Sequence, residues 1–123
     1  MNHFSISSTF RSFLSDAAFT LATVIGNGGQ EQVGIQLNSR KGGSFKLGEL
    51  EAGGGKEKAV VGKATFDVGP WHTVELVMTM DMMSATLNGV HLGNITFLND
   101  ATFAFMMQLD SYVYAQMDNW KLS

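Results

Sequence analysis

Residues 71–81, which read Trp-His-Thr-Val-Glu-Leu-Val-Met-Thr-Met-Asp, decide the fold class of this chain. Every second residue from His72 to Met80 falls on one face, and most residues on the other face are polar. A period of two is typical of a β-strand that buries one face. Downstream, Asn88-Gly89 supplies the two positive-φ residues of a type I′ turn, between segments 84–87 and 90–92. The region therefore predicts a strand followed by a β-hairpin.

The same alternation recurs along the rest of the chain. It is present at residues 3–11, 19–25, 33–37, 45–47, 59–61, 101–109 and 112–122. The chain has 14 glycines and 1 proline, and they separate these segments at a spacing typical of a sandwich or barrel. Residues 12–18 are compatible with a single helical turn, and no segment predicts a longer helix. We therefore predict one all-β, antiparallel sandwich domain over residues 1–123.

Composition excludes several classes of protein. The chain has 123 residues, of which 45% are hydrophobic and 15% charged, as in a globular domain. A net charge of −3 without a basic run argues against a nucleic-acid partner, and no run of about 18 apolar residues predicts a membrane span. The absence of cysteine excludes disulfides and thiolate zinc sites. The first residues lack the features of a signal peptide, so we expect either a cytoplasmic chain or a segment of a longer secreted protein.

Three short motifs occur in a fixed order. They are Gly-Pro-Trp-His-Thr-Val-Glu-Leu at 69–76, Ala-Thr-Leu-Asn-Gly at 85–89 and Ala-Gln-Met-Asp-Asn-Trp-Lys-Leu at 115–122. Together they resemble the concanavalin A-like lectin/glucanase superfamily, and most closely its laminin-G-like domains and the C-terminal lectin-like domain of galactocerebrosidases. The resemblance implies a jelly-roll sandwich. For a chain cut from a longer precursor, it also implies a secreted or lysosomal location.

The resemblance implies details of the sheets as well. The last strand, within 112–122, is expected to return to the centre of a sheet, with Asp118-Asn119 where the backbone loses its regularity. Domains of this superfamily often begin with a strand ahead of the one matched by residues 4–10, and that strand has no counterpart here. We expect either an exposed sheet edge, through which two copies pair as a homodimer, or an edge that a partner protein covers.

Candidate carbohydrate-binding residues are aromatic side chains with polar neighbours. Aromatic rings cover the apolar face of a sugar, and amide or guanidinium groups bind its hydroxyls. On the last strand, Tyr112, Tyr114 and Gln116 are predicted to share a face. The alternative is that the tyrosines only cover the sandwich. The galectin signature, His-x-Asn-Pro-Arg with a later Trp, is absent. The full set of candidates is Trp71, Tyr112, Tyr114, Gln116, Asn38 and Arg40.

Asp118 has two interpretations. The resemblance implies that it is a ligand of a structural calcium ion, the only cofactor predicted, and a carboxylate suits that ion. Calcium takes about six to eight oxygen ligands, however, and the other ligands of the family tend to come from the N-terminal portion that has no counterpart here. The alternative is that Asp118 anchors the strand by hydrogen bonds.

Glu49 and Glu51 are the only close pair of carboxylates that suggests catalysis. Glycosidases use two such groups, but no third acid follows, as it does in the glucanases of this superfamily. The pair is better interpreted as part of a solvated loop. The sequence therefore predicts a non-catalytic carbohydrate-binding or accessory lectin-like module. The alternative is a structural interaction module that docks on a glycosidase domain or self-associates, and a small glycoside hydrolase is the third interpretation.

Overall fold

The computed structural model describes residues 4–25, 31–51, 58–79, 81–96 and 104–122. Within these ranges the chain forms ten strands and a single 3-10 turn at Arg40–Gly42. The strands are β1 (Phe4–Ser12), β2 (Ala18–Ile25), β3 (Glu31–Asn38), β4 (Ser44–Glu51), β5 (Ala59–Lys63), β6 (His72–Met78), β7 (Met82–Leu87), β8 (Val90–Thr96), β9 (Ala104–Leu109) and β10 (Val113–Leu122). The helical turn suggested for residues 12–18 does not form, because residues 13–16 are bends between two strands.

The described strands make two five-stranded antiparallel sheets. The first sheet has the order β10-β1-β6-β7-β8, and the second has the order β5-β4-β3-β2-β9. This arrangement confirms the predicted all-β jelly-roll sandwich. Within the described ranges, no helix has the length and apolar character that crossing a bilayer requires.

The core lies between the sheets and is built from the alternating positions. In β1, Phe4, Ile6, Ser8 and Phe10 are buried, and the residues that alternate with them are partly exposed. Phe10 stacks on Phe19 of the second sheet with ring centroids 4.8 Å apart, and it meets the edge of Phe66 at 5.5 Å. Burying large rings removes apolar area from water, which is the main stabilising term of the fold.

The predicted hairpin is present. Leu87 pairs with Val90 across Asn88-Gly89, whose φ angles of 52° and 81° are those of a type I′ turn. The predicted boundaries of the preceding strand are wrong, because β6 ends at Met78 and β7 already begins at Met82. The Thr79 amide donates to the Met82 carbonyl at 2.8 Å, which closes the connection.

The position predicted for the last strand is also wrong. In the described part of the first sheet, β10 is an edge strand that pairs only with β1. The interior position belongs to β1, which lies between β10 and β6. The prediction failed because the place of a strand in a sheet depends on its pairing with distant segments, which alternation along one strand does not reveal.

The predicted irregularity in the last strand is present. Ser8 pairs with Met117, whereas Ser7 pairs with Asn119, so Asp118 is an extra residue opposite β1. This arrangement is a β-bulge, a feature that twists a strand and changes the direction of its side chains.

Candidate functional site

Three aromatic side chains lie around one cation on the outer face of the first sheet. We call Arg11, Phe13, Trp71 and Tyr114 together the aromatic patch. The Arg11 guanidinium carbon lies 4.5 Å from the centroid of the Phe13 ring and 5.1 Å from that of Trp71. Tyr114 meets Phe13 edge to face at 5.8 Å. Arg11 Nε also donates to the Gly69 carbonyl at 2.9 Å, which fixes the guanidinium between the rings.

Strand register explains why these residues meet. Arg11 pairs with Tyr114 across β1 and β10, and Phe10 pairs with His72 across β1 and β6. Because the strands are antiparallel, Trp71, which precedes His72, lies beside Arg11, which follows Phe10. Arg11 and Tyr114 belong to the outward phase of β1 and β10, whose other face is the core, whereas Phe10 and His72 point into the core.

The aromatic rings of the patch are open to solvent. Trp71 is 48% exposed, Tyr114 51% and Phe13 47%. Large aromatic side chains usually bury most of their area, so three half-exposed rings around one arginine form an apolar and cationic surface that a ligand can contact.

A polar row lies next to the aromatic patch on the same face. Thr9 pairs with Gln116 on one side and with Thr73 on the other. Gln116 Nε2 donates to Asp118 Oδ1 at 3.0 Å, and Thr9 Oγ1 donates to Asp118 Oδ2. The structure thus places three predicted candidates, Trp71, Tyr114 and Gln116, on one face.

Tyr112 does not lie on that strand face, contrary to the prediction. It belongs to the turn before β10 and has a φ of 62°, a left-handed conformation. Its carbonyl accepts from the Phe13 amide at 3.1 Å, which ties the turn to the loop after β1. The side chain is exposed and lies at the end of the sandwich.

Asp118 has both carboxylate oxygens engaged by Thr9 and Gln116. Over the described residues, no three His, Cys, Asp or Glu side chains come together in a way that could hold a metal ion. This geometry is that of the hydrogen-bond anchor.

The Glu49 and Glu51 pair receives no support as a catalytic site. Both residues are in β4, where a register shift separates their pairings with Val33 and Gln32. The side chain of Glu51 lies outside the described residues. The solvated loop predicted for this pair is therefore wrong, because both residues belong to a strand, and the register shift interrupts the regular pairing of that strand between them.

Asn38 ends β3 of the second sheet and Arg40 begins the 3-10 turn that follows, apart from the aromatic patch. Arg40, but not Asn38, borders a groove of about 530 Å³ that we call the basic groove. Asn38 Oδ1 accepts from the Arg40 amide at 2.8 Å and thereby fixes the turn after β3. The groove is lined by Arg40, Lys41, Gly43, Ser44, Gly62 and Lys63.

Two groups of residues in these surfaces were not predicted from the sequence. Lys41 and Lys63 are far apart in sequence and meet only because β4 lies between β3 and β5. Arg11 and Phe13 carried a usable signal, since Arg11 occupies the outward phase of the first alternating segment.

Hydrogen bonds connect the loops next to the aromatic patch with those next to the basic groove, at one end of the sandwich. Ser39 Oγ donates to the Leu14 carbonyl at 2.7 Å, and Phe66 N donates to the Gly42 carbonyl at 3.2 Å. Gly69 N donates to the Ser12 carbonyl at 2.8 Å. The loops after β1, β3 and β5 are therefore joined.

Comparison with known proteins identifies the fold by structure alone. No protein-family model matches the chain, and no curated protein matches its sequence. The carbohydrate-binding module CBM66 of Bacillus subtilis superposes with a TM-score of 0.71 at 12% identity, covering 98% of this chain and 74% of that one. The galectin LEC-6 of Caenorhabditis elegans gives a TM-score of 0.61 at 15% identity, covering 99% and 83%.

The similarity extends to a laminin G structure. The LG4-5 domains of the mouse laminin alpha1 chain match with a TM-score of 0.50 at 18% identity, covering 90% of this chain and 27% of that one. Identities in this range establish architecture. Together with the two five-stranded sheets, they show that this chain has the concanavalin A-like jelly-roll fold of galectins, CBM66 and laminin G domains.

Proposed function

We propose that the chain is a non-catalytic carbohydrate-binding module that binds sugars on the outer face of its first sheet. One observation carries the proposal: half-exposed Trp71 and Tyr114 lie on either side of Arg11 in a cross-strand row, beside the amide of Gln116. This surface combines the two elements that sugar recognition requires, an aromatic platform and polar groups at its border.

The chemistry of the aromatic patch suits a pyranose ring. The C–H groups on one face of a sugar pack on an exposed aromatic ring, and the hydroxyls at its edge need donors and acceptors. Arg11 donates a hydrogen bond through Nε to the Gly69 carbonyl. Its terminal nitrogens have no hydrogen-bond partner among the described residues. Those N–H groups are the donors that we assign to sugar hydroxyls.

The structural comparisons support the class of ligand. CBM66 is a carbohydrate-binding module by name, and the other structures reported above share its fold. At 12–18% identity no binding residue carries over. The residues of the proposed site therefore come from the aromatic patch of this chain.

The test is loss of glycan binding in Trp71→Ala. A glycan array with the intact chain identifies a ligand, and isothermal titration then measures its Kd. We expect Trp71→Ala and Tyr114→Ala each to weaken binding by about three- to tenfold, the range of one aromatic contact. Val61→Ala is the matched control, because Val61 is an exposed apolar residue of β5 that lies on the second sheet and lines neither of the grooves described here.

Two results would contradict this proposal. The first is an intact, folded chain that binds no glycan on the array. The second is binding that Trp71→Ala and Tyr114→Ala leave as strong as in the Val61→Ala control.

A second function, self-association through one end of the sandwich, is favoured by a specific observation. The end that carries the aromatic patch also exposes further apolar side chains, namely Leu14, Val68 and Tyr112. Clustered apolar groups on a surface are typical of protein interfaces. If this end is an interface between copies, the chain self-associates in analytical ultracentrifugation, and Leu14→Asp abolishes that association while leaving glycan affinity unchanged. A wild-type chain that sediments as a monomer would contradict such an interface.

A further inference from the structure

We infer that the basic groove binds the acidic substituents, sulfate or carboxylate, of a charged oligosaccharide. The inference rests on the proposed function for the class of ligand and assigns a different surface to it. The groove is lined by three cations, Arg40, Lys41 and Lys63, together with the Ser44 hydroxyl and two glycines. Guanidinium and ammonium groups bind such oxyanions through charge-assisted hydrogen bonds.

The charges of the groove are not neutralised by the protein. Arg40, Lys41 and Lys63 are exposed, and none of their side chains has a hydrogen bond or ion pair among the described residues. No Asp or Glu is among the described residues that line the groove. The chain as a whole has a net charge of −3, so the groove is a positively charged region on a protein that is negatively charged overall. An anionic ligand is the complement of such a surface.

The backbone holds the cations in place. Lys41, Gly42 and Gly43 have φ angles of 53°, 85° and 121°, which turn the chain sharply between β3 and β4. The turn is hydrogen-bonded to the segment after Lys63, since Ala64 N donates to the Gly43 carbonyl at 3.3 Å and Phe66 N to the Gly42 carbonyl at 3.2 Å. The two sides of the groove are therefore joined before a ligand arrives, which lowers the entropic cost of binding.

A second groove indicates that the ligand is an extended chain. It has a volume of about 320 Å³ and shares Lys63 with the basic groove. Its polar lining includes Thr65, Asn88 and the exposed His91, and no acidic residue is among its described lining. A single small anion needs only the cations, whereas the continuous surface offers further hydrogen-bonding groups to neighbouring sugar units.

The experiment compares one oligosaccharide in two charge states. We would titrate the chain with a heparin-derived hexasaccharide and with the same hexasaccharide after chemical desulfation and reduction of its carboxylates (the desulfated form), at low and high NaCl. The variants are Arg40→Gln, Lys63→Gln and their combination. Lys58→Gln is the matched control, since Lys58 is an exposed lysine that does not line the groove. Lys41 is left unchanged because its left-handed φ restricts substitution.

We expect the sulfated form to bind more tightly than the desulfated form. Each removed groove charge should weaken binding by about two- to fivefold, as for exposed ion pairs. Lys58→Gln should change the Kd by less than about twofold, and added salt should weaken binding of the sulfated form by screening.

Three results would overturn the inference: equal affinity for the sulfated and desulfated forms, equal losses in Lys58→Gln and Lys63→Gln, or equally tight binding of a single-stranded oligonucleotide of matched charge. These outcomes are separable from failure of the proposed function. Binding that Trp71→Ala removes while Arg40→Gln/Lys63→Gln leaves it intact supports the aromatic patch alone. The opposite pattern supports the groove alone.

Discussion

At the scale of single residues, Asp118 is a carboxylate that suggests a ligand site and that also forms hydrogen bonds within its own sheet. It is the extra residue of the bulge in β10, and it accepts hydrogen bonds from Thr9 and Gln116. We expect Asp118→Ala to lower the free energy of unfolding by about 0.5–1.5 kcal/mol, the range for exposed hydrogen bonds. Urea denaturation measures this change.

The calcium alternative is tested on the same residue. If Asp118 is an anchor, neither added Ca²⁺ nor a chelator shifts the Tm of the wild-type chain. A stabilisation by Ca²⁺ that disappears in Asp118→Ala would assign the carboxylate to a metal site instead.

His72 is a buried polar residue with a defined role. Asn88 Oδ1 accepts from the Thr73 amide at 2.9 Å, so Asn88 Nδ2 donates to His72 Nδ1, also at 2.9 Å. His72 Nε2 therefore carries the proton and donates to the Asp67 carbonyl at 2.7 Å. The imidazole thus connects the β7–β8 turn with the loop before β6.

Replacing this imidazole with an apolar side chain should be costly. His72→Leu leaves the Asn88 amide and the Asp67 carbonyl without their partner, and we expect the free energy of unfolding to fall by about 1–3 kcal/mol in urea denaturation. The control is His91→Leu on exposed β8, which should change it by less than about 0.5 kcal/mol. Equal effects of the two substitutions would contradict the role assigned to the hydrogen bonds.

At the scale of strands, two glycines differ in what surrounds them. A Cβ on Gly34 of β3 would lie 2.5 Å from the Ala22 Cα and still closer to the Leu21 carbonyl oxygen, both part of the β2 backbone. A Cβ on Gly93 of β8 would be in ordinary contact, 3.7 Å from the Phe45 ring. Neither glycine has a positive φ, so the comparison isolates the close approach of neighbouring strands.

The two substitutions should therefore give different results. We expect Gly34→Ala to lower the free energy of unfolding by about 1–3 kcal/mol, because strand backbones must separate. Gly93→Ala should stay within about 1 kcal/mol of wild type. Urea denaturation with circular dichroism distinguishes them, and a tolerated Gly34→Ala would show that β2 and β3 are less tightly packed than the structure indicates.

Strands were also what the sequence predicted best. Alternation located β1 and β6, and Asn88-Gly89 located the β7–β8 turn, because these signals depend on neighbouring residues. Alternation could not place β10 at a sheet edge, nor could it put Tyr112 in a left-handed turn, since both depend on contacts with distant segments.

At the scale of the whole molecule, the candidate sites follow from strand order. Trp71 and Tyr114 were predicted as separate candidates, and only the pairing of β6 and β10 with β1 brings them to Arg11. Lys63 escaped prediction because its relation to Arg40 depends on two pairings, of β3 with β4 and of β4 with β5. The sequence showed which side chains are suited to ligand binding, but only the order of strands in the sheets shows which of them lie together.

The position of β1 between β10 and β6 has a consequence for how the chain folds during synthesis. Ser8 of β1 donates to the Gln116 carbonyl of β10 at 2.7 Å, across a separation of 108 residues. During synthesis, β1 therefore leaves the ribosome early, but the edge that pairs with β10 stays unpaired until nearly the whole domain has been made. Pairings of such long range are typical of slowly folding proteins. An uncovered strand edge also invites pairing with other chains during that interval. Nascent-chain aggregation, and protection of β1 by a chaperone, should therefore depend on how soon β10 follows.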